Sequence, residues 1–317
     1  MSDKHVSLYG STADEPYTVV VSPEQAGWTY TGLRVLELGT DGFHEFNTGE
    51  DELIVLPLAG SCTVAVDTGA GEKETFEVEG RADVFSRVTD FVYAPREATV
   101  SVSSSGGGRF ALPSTRAGRR LPARYGAAED VPVELRGAGP ASRQVNNFCS
   151  PDTFPADKLI AVEILTPGGN WSSYPPHKHD EAREGEMALE EIYYFEVDGS
   201  KAPTRDSGGP TGGEATRVGE ATRAVGYQRV YSSGPGREID VHTEVRTGDV
   251  VLVPYGYHGP SMAAPGYDLY YLNVMAGPDE KRAWLFCDDP AHAWIRGTWD
   301  DLDVDPRLPM TSAGGRQ

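Results

Sequence analysis

Apolar residues along the chain come in short runs, each closed by Gly, Pro, Asp or Ser. Val250-Val251-Leu252-Val253 followed by Pro254 is one such run. Runs of this length with turn residues at both ends read as strands, because a helix needs an apolar stripe sustained over roughly ten or more positions. Strands are expected at 17–21, 29–38, 52–58, 62–67, 90–94 and 99–103, and again at 159–165, 191–197, 227–231, 242–245, 250–254 and 269–275. Regularly spaced strands with turn signals between them predict an all-β fold of the barrel or sandwich type. The pattern falls into two parallel blocks, which points to an old duplication whose direct sequence similarity has faded. We expect an N-terminal domain over 1–112, a connector over 113–142 and a C-terminal domain over 143–317 whose last part caps it.

Two stretches break the pattern. Residues 198–226 are rich in Gly, Ser, Thr, Pro and Arg, and carry a short tandem copy, GEATR at 213–217 and again at 219–223. They bury too little apolar surface to offset their ordering entropy, so a mobile loop is expected there. The tail beyond Arg307 is expected to be mobile as well.

Composition narrows the field. The 317 residues suffice for two domains of about 150 residues each. The net charge of −20 repels phosphate backbones and anionic lipid, which argues against nucleic-acid and membrane roles. Cys62, Cys149 and Cys287 lie far apart without CxxC spacing and read as reduced thiols. No signal core or membrane-length apolar stretch is visible, so a cytoplasmic location is expected.

The chemistry concentrates in the second block. Tyr174-Pro175-Pro176-His177-Lys178-His179-Asp180 is followed by Leu189-Glu190-Glu191-Ile192-Tyr193, and later by Gly248-Asp249, a strand, and Pro254-Tyr255-Gly256-Tyr257-His258. Residues two apart on a strand share a face, so His177 and His179 can aim at one cavity. A carboxylate from the next strand and His258 complete a set of four ligands for a divalent ion; zinc and manganese come first, with iron or nickel as further options. Of the adjacent carboxylates, Glu191 is the inward choice: Tyr193, Phe195 and Val197 then line the barrel, whereas turning Glu190 inward would also bury Glu196. The first block holds His44 without an HxH partner, and its 90–97 segment has no histidine. It reads as a barrel without a metal, free for packing or dimer formation, so a homo-oligomer is an open expectation.

These motifs resemble the paired signatures of the cupin superfamily, small β-barrels that hold one metal. The closer resemblance is to the 5-deoxy-glucuronate isomerase family of myo-inositol catabolism, related to the 4-deoxy-threo-hexosulose-uronate ketol-isomerases. It rests on WSSYPPHKHD at 171–180, EEIYYF at 190–195, GYQRVY at 226–231, VPYGYHGP at 253–260, YLNVMAG at 271–277 and DDPAHAWI at 288–295. It implies a bicupin whose second barrel interconverts an aldose and a ketose, turning 5-deoxy-glucuronate into 5-dehydro-2-deoxy-gluconate. The substrate, a small sugar acid, needs a cation for its carboxylate; Arg229 and Arg143 are the candidates, ahead of Lys178, which should face outward between two inward histidines. Glu190 and Tyr257 are candidates for the base, which is left unassigned, and Asp289 and His292 lie in the expected cap. A cupin dioxygenase and a non-catalytic sugar-binding cupin are the rival readings.

Overall fold

The structure is a computed structural model that describes residues 4–69, 71, 73–200 and 224–316. Most of the 198–226 stretch, including its tandem copy, lies outside the described residues. Among the described residues the fold is all-β, with one four-residue α-helix, Pro23–Ala26, and three short 3-10 segments. Among the described residues no helix is long and apolar enough to cross a membrane.

The first half forms a nine-stranded antiparallel sheet. Its axis is the 17-residue strand Asp51–Asp67, which spans the two strands expected at 52–58 and 62–67. The chain kinks there instead of breaking. Gly60 takes a left-handed backbone, φ +93°, and a Cβ at this position would lie 2.5 Å from the Gly107 carbonyl oxygen. One end of this strand pairs with Phe91–Ala94 and Gly108–Arg116, the other with Glu74–Arg81 and Thr99–Ser104, so the sheet curls around its own core. In the second half a seven-stranded sheet, which includes Glu190–Asp198, Asp268–Ala276 and Ile160–Thr166, faces a six-stranded sheet containing His177–Lys178, Gly226–Tyr231 and Tyr257–Ala263.

A third core lies between the halves. The strand Asp268–Ala276 is buried along its whole length. Its Leu269, Tyr271 and Met275 point into the second half, while Tyr270, Leu272 and Val274 pack against Leu33, Val35, Ile54 and Leu56 of the first. Carboxylates reinforce this seam. Glu190 accepts hydrogen bonds from the backbone N–H groups of Thr29, Tyr30 and Thr31 (2.7–2.9 Å). Glu52 accepts from those of Asp157, Lys158 and Leu159. Glu163 takes Arg81 and the Tyr270 hydroxyl, and Glu196 takes Arg109 at 2.9 Å. Charges this deeply placed survive burial only when they are saturated with donors, as these are.

Three expected boundaries need correction. The connector over 113–142 is not a separate element. Gly108–Arg116 runs into it, Arg124–Gly126 joins the first sheet and Val133–Arg136 joins the second. The N-terminal segment crosses over: Val6 and Ser7 pair with Val251 and Val250, and the Tyr9 ring covers Gly248. The tail beyond Arg307 is anchored rather than mobile. Leu308, Met310 and Thr311 are buried. The Gln144 amide acts as a short strand for the tail, its Oε1 accepting the N–H groups of Met310 and Thr311 and its Nε2 donating to the Thr311 carbonyl. A chain ended at Arg307 is expected to lose at least about 3 kcal/mol of stability, from two apolar side chains and several buried hydrogen bonds. Urea denaturation beside the full chain measures this, and unchanged stability would show the anchoring to be idle.

Candidate metal centre

Three elements converge on the inner face of the second half. Pro175 and Pro176 lead into the two-residue strand His177–Lys178, which pairs His177 directly across from His258. Glu191 is the second residue of Glu190–Asp198, opposite Val253 and Met275. Its side chain points inward, on the same face as Tyr193 and Phe195. His258 follows the turn after Val250–Val253, where Gly256 has φ +95° and a Cβ would lie 2.6 Å from the Tyr231 carbonyl oxygen.

The ligating atoms of His179, Glu191 and His258 lie within 4.8 Å of one another, and all three residues are buried. Glu191 Oε2 is 3.1 Å from His179 Nε2 and 3.0 Å from His258 Nε2. The other ring nitrogens face carbonyls: His179 Nδ1 is 3.1 Å from Leu189 O, and His258 Nδ1 is 3.2 Å from Gly256 O. A carbonyl can only accept, so each Nδ1 carries a proton and each Nε2 is the nitrogen that can offer a lone pair to a cation at the centre, the usual way in which surrounding groups orient a metal-binding histidine. His258 Nε2 is buried and has no partner of hydrogen-bond geometry. An orphaned imidazole nitrogen beside a second imidazole and a carboxylate fits a divalent cation. His177 sits at the edge of this group, its ring 4.5 Å from that of His258 and 6.3 Å from that of His179.

Glu191 and the imidazoles shift one another: burial acts to lower His179, but Glu191 outweighs burial and raises it. Burial works to raise the Glu191 carboxyl, but His258 and His179 outweigh it and hold it down to about 2, so the carboxylate stays ionised. Burial, then the charges of His258 and His179, push His177 well below its ordinary value. Around the centre, Ser173 Oγ lies 3.0 Å from the Tyr193 hydroxyl and 3.2 Å from that of Tyr271, and the buried Asn273 side chain stands beside Tyr193.

Several sequence candidates lie elsewhere. Glu190 faces the seam with its carboxylate saturated by the 29–31 backbone, so it cannot serve as the base. Tyr257 alternates with inward His258 and stacks on Tyr231 on the outer face, 5.6 Å between rings. Arg229 also faces outward, because Gln228 and Val230 take the buried positions; its guanidinium bonds Asp240 and the Val241 carbonyl. Lys178 does turn away from the histidines, yet it is buried, its Nζ 2.6 Å from Asp180, 2.9 Å from Glu181 and 2.8 Å from Glu186. These three acids lie close enough to hold a metal, but the ammonium already fills that place. Arg143 is the candidate that shares the inner face, through its strand neighbour Val145. Asp289 ties a turn, accepting from the Tyr231 hydroxyl and the Ala291 N–H. Unforeseen neighbours come from the C-terminal segment. The Phe286 ring lies 4.7 Å from His177, and Arg296 stacks on both Phe286 and Trp299. The aromatic residues scattered through 284–299, a stretch without strand alternation, were the available signal.

Comparison with known proteins places this geometry in a lineage. The profile of the KduI/IolB family matches residues 6–295. A protein of Geobacillus kaustophilus named 5-deoxy-glucuronate isomerase is 38% identical over 288 residues, covering 90% of this chain and 92% of its own. Its namesake in Bacillus subtilis strain 168 is 37% identical over 279 residues, covering 87% and 91%. Among solved structures, an IolB-like protein of Salmonella typhimurium LT2 superposes with a TM-score of 0.76 at 32% identity, covering 92% of this chain and 98% of that one. An oxalate decarboxylase of Lactobacillus farciminis shares the fold with a TM-score of 0.60 at 11% identity, covering 91% and 89%.

The Lys178 cluster yields a prediction with a sign. Burial acts to raise Asp180 and Glu186, but hydrogen bonds from Lys178 and its neighbours hold both below the ordinary carboxylate range. Their contribution is therefore full above about pH 4 and is lost as pH falls below it. Lys178→Met is expected to cost about 1.5–3 kcal/mol at pH 7, since Asp180 and Glu186 lose their shared ammonium and keep only the partly exposed Arg237 and Arg183 as cations, and Arg229→Ala to stay within about 0.5 kcal/mol of wild type. Chemical denaturation of both variants, with a pH series of melting temperature for the wild type, tests the contrast. Equal losses in the two variants would refute it.

Proposed function

The chain belongs to the KduI/IolB family, and from that premise we propose that it is a metal-dependent aldose–ketose isomerase converting 5-deoxy-glucuronate to 5-dehydro-2-deoxy-gluconate. The isomerase activity follows from relatives that match across nearly the whole chain. The observation that carries the metal dependence is the orphaned His258 Nε2 beside His179 and Glu191, a donor set that protein atoms alone leave incomplete. Zinc or manganese suits two imidazoles and a carboxylate, with iron or nickel as further options. A Bacillus subtilis oxalate decarboxylase with Mn(II) centres shares the fold, with a TM-score of 0.56.

We read each half as a cupin barrel, with the metal in the second alone. In support, His44 is tied to the Tyr17 hydroxyl at 2.9 Å, and no metal-ligand group is found in the first half among the described residues. His179, Glu191 and His258 would hold the ion, and His177 stands beside them as the fourth candidate. A bound divalent ion supplies Lewis-acid polarisation of the aldehyde and its neighbouring hydroxyl. The protein does the rest. The Leu189 and Gly256 carbonyls fix the two inward tautomers, so the imidazoles need no rearrangement on binding. The hydroxyls of Tyr193, Ser173 and Tyr271 form a neutral row of donors and acceptors for a polyhydroxy chain. Phe195 and Phe286 help to exclude water from the reacting end.

Purified protein is expected to carry about one divalent ion per chain. Chelation should abolish isomerisation of 5-deoxy-glucuronate, and added Zn²⁺ or Mn²⁺ should restore it. His179→Ala should lose metal and activity together. Elemental analysis with an isomerase assay reads both, and an oxygen electrode should register no uptake. Full activity in metal-stripped protein would refute the metal dependence, and oxygen-coupled turnover would favour a dioxygenase.

A further inference from the structure

Arg143 is 5% exposed and opens a strand whose next residue on the same face, Val145, belongs to the second half's core. The buried Arg81 and the half-buried Arg282 are fully engaged. Arg81 meets Glu163, and Arg282 gives Nε, Nη1 and Nη2 to the carbonyls of Leu159, Phe154 and Cys149. Arg143 is different. Among the described residues only its Nη1 has acceptors, Ala141 O at 2.9 Å and Tyr174 O at 3.4 Å, and no carboxylate bonds to it. Burial is the main influence that pushes its guanidinium down to about 10; Tyr271 and, least of all, Glu134 pull the other way, and Arg136 and Arg296 add to the fall. Glu134 is itself bonded to Arg136, and a buried cation with no carboxylate bonded to it is costly unless a ligand supplies the charge.

A second group beside it also lacks a partner. Arg143 stacks on Trp299, 5.5 Å to the ring centroid, and the Trp299 indole Nε1 is buried with no acceptor. The neighbouring cation is already taken, since Arg296 holds both oxygens of Asp288. The pair is tied to the metal ligands. Tyr174, whose carbonyl binds Arg143, lies three residues before His177. On the other side Trp299, Arg296, Phe286 and His177 touch in sequence at 5.1, 5.6 and 4.7 Å.

We infer that Arg143, assisted by the Trp299 N–H, anchors the carboxylate of the sugar acid and makes the enzyme select acids over neutral sugars. This rests on the isomerase reading above. The planar guanidinium offers two parallel N–H groups to a carboxylate, and the indole offers a third donor. The aldehyde end of an extended substrate is then directed toward the histidines.

The test compares 5-deoxy-glucuronate with its neutral counterpart, in which the carboxyl is reduced to a primary alcohol. Wild-type enzyme should prefer the acid in kcat/KM. In Arg143→Gln the KM for the acid should rise by about 10–150-fold, the loss of a charge-assisted hydrogen bond, while the neutral compound is handled as before. Trp299→Phe, which keeps the ring and removes the donor, should show a smaller rise for the acid alone. If Arg143→Gln does not fold, judged by its melting temperature, Arg143→Lys carries the test; it keeps the charge, loses the fork and should show the same selective rise. A parallel loss on both compounds in a folded variant, or an unchanged preference for the acid, overturns the proposal. A wild type that turns over both compounds equally overturns the anchor and leaves the isomerase standing; a wild type that turns over neither refutes the isomerase reading itself.

Discussion

The strand Glu190–Asp198 is buried on both faces, and its two-residue period divides the work of the molecule. One face sends Glu191, Tyr193 and Phe195 into the second half; the other sends Glu190, Ile192, Tyr194 and Glu196 to the seam with the first. Two adjacent glutamates thus meet opposite surroundings. Glu190 is satisfied by four donors from the 29–31 segment, and Glu191 faces imidazoles alone. A one-residue slip in register would bring either Leu189 to the seam donors or Ile192 to the imidazoles, so one of the two places would lose its carboxylate. The seam contacts of Glu190 therefore also hold Glu191 in line with the histidines. The centre depends on a domain that contributes no ligand to it.

The seam is polar where it must be specific and apolar where it must be strong. Aromatic and aliphatic side chains from both halves supply the area, at about 25 cal/mol per Å² removed from water. Glu52, Glu163, Glu190 and Glu196 each reach from one half to donors on the other. Buried ion pairs of this kind add little net stability, but an unpaired one is expensive, so they penalise every register except one. The Lys178 cluster follows the same rule behind the histidines, where Asp180 also accepts from Ser233 and the Gly256 N–H and so fixes the turn that presents His258.

Alternation made part of this readable in advance. The inward choice of Glu191 over Glu190 followed from the cost of burying Glu196, although Glu196 is in fact buried, against Arg109, in a seam that one block's pattern cannot reveal. The HxH pair and His258 were visible as motifs, and the structure brings His179 and His258 to Glu191 while leaving His177 at the margin. The arginines were harder. Arg229 follows Gln228, whose polarity suggests an outward side chain, yet Gln228 is buried and bonds Ser261, so parity turns Arg229 out. Arg143 begins a strand, where no preceding alternation sets the phase. Pairings across long separations left no local trace at all: nothing in Met310-Thr311 announces that Gln144 will receive them, and nothing in Val6-Ser7 announces Val250.

Those distant pairings bear on how the protein is made. Tyr9 bonds Asp249, 240 positions on, and Gln144 waits for Thr311 across 167. The sheet of the first half, by contrast, is complete once residue 126 has been synthesised. A growing chain on the ribosome can close that sheet early, but its apolar outer face, carrying Leu33, Val35, Ile54 and Leu56, is covered in full only when the strands Glu190–Asp198 and Asp268–Ala276 have emerged. At about 5–20 residues per second this window lasts several seconds or more, and it is the interval in which a nascent copy is exposed to aggregation or to chaperones.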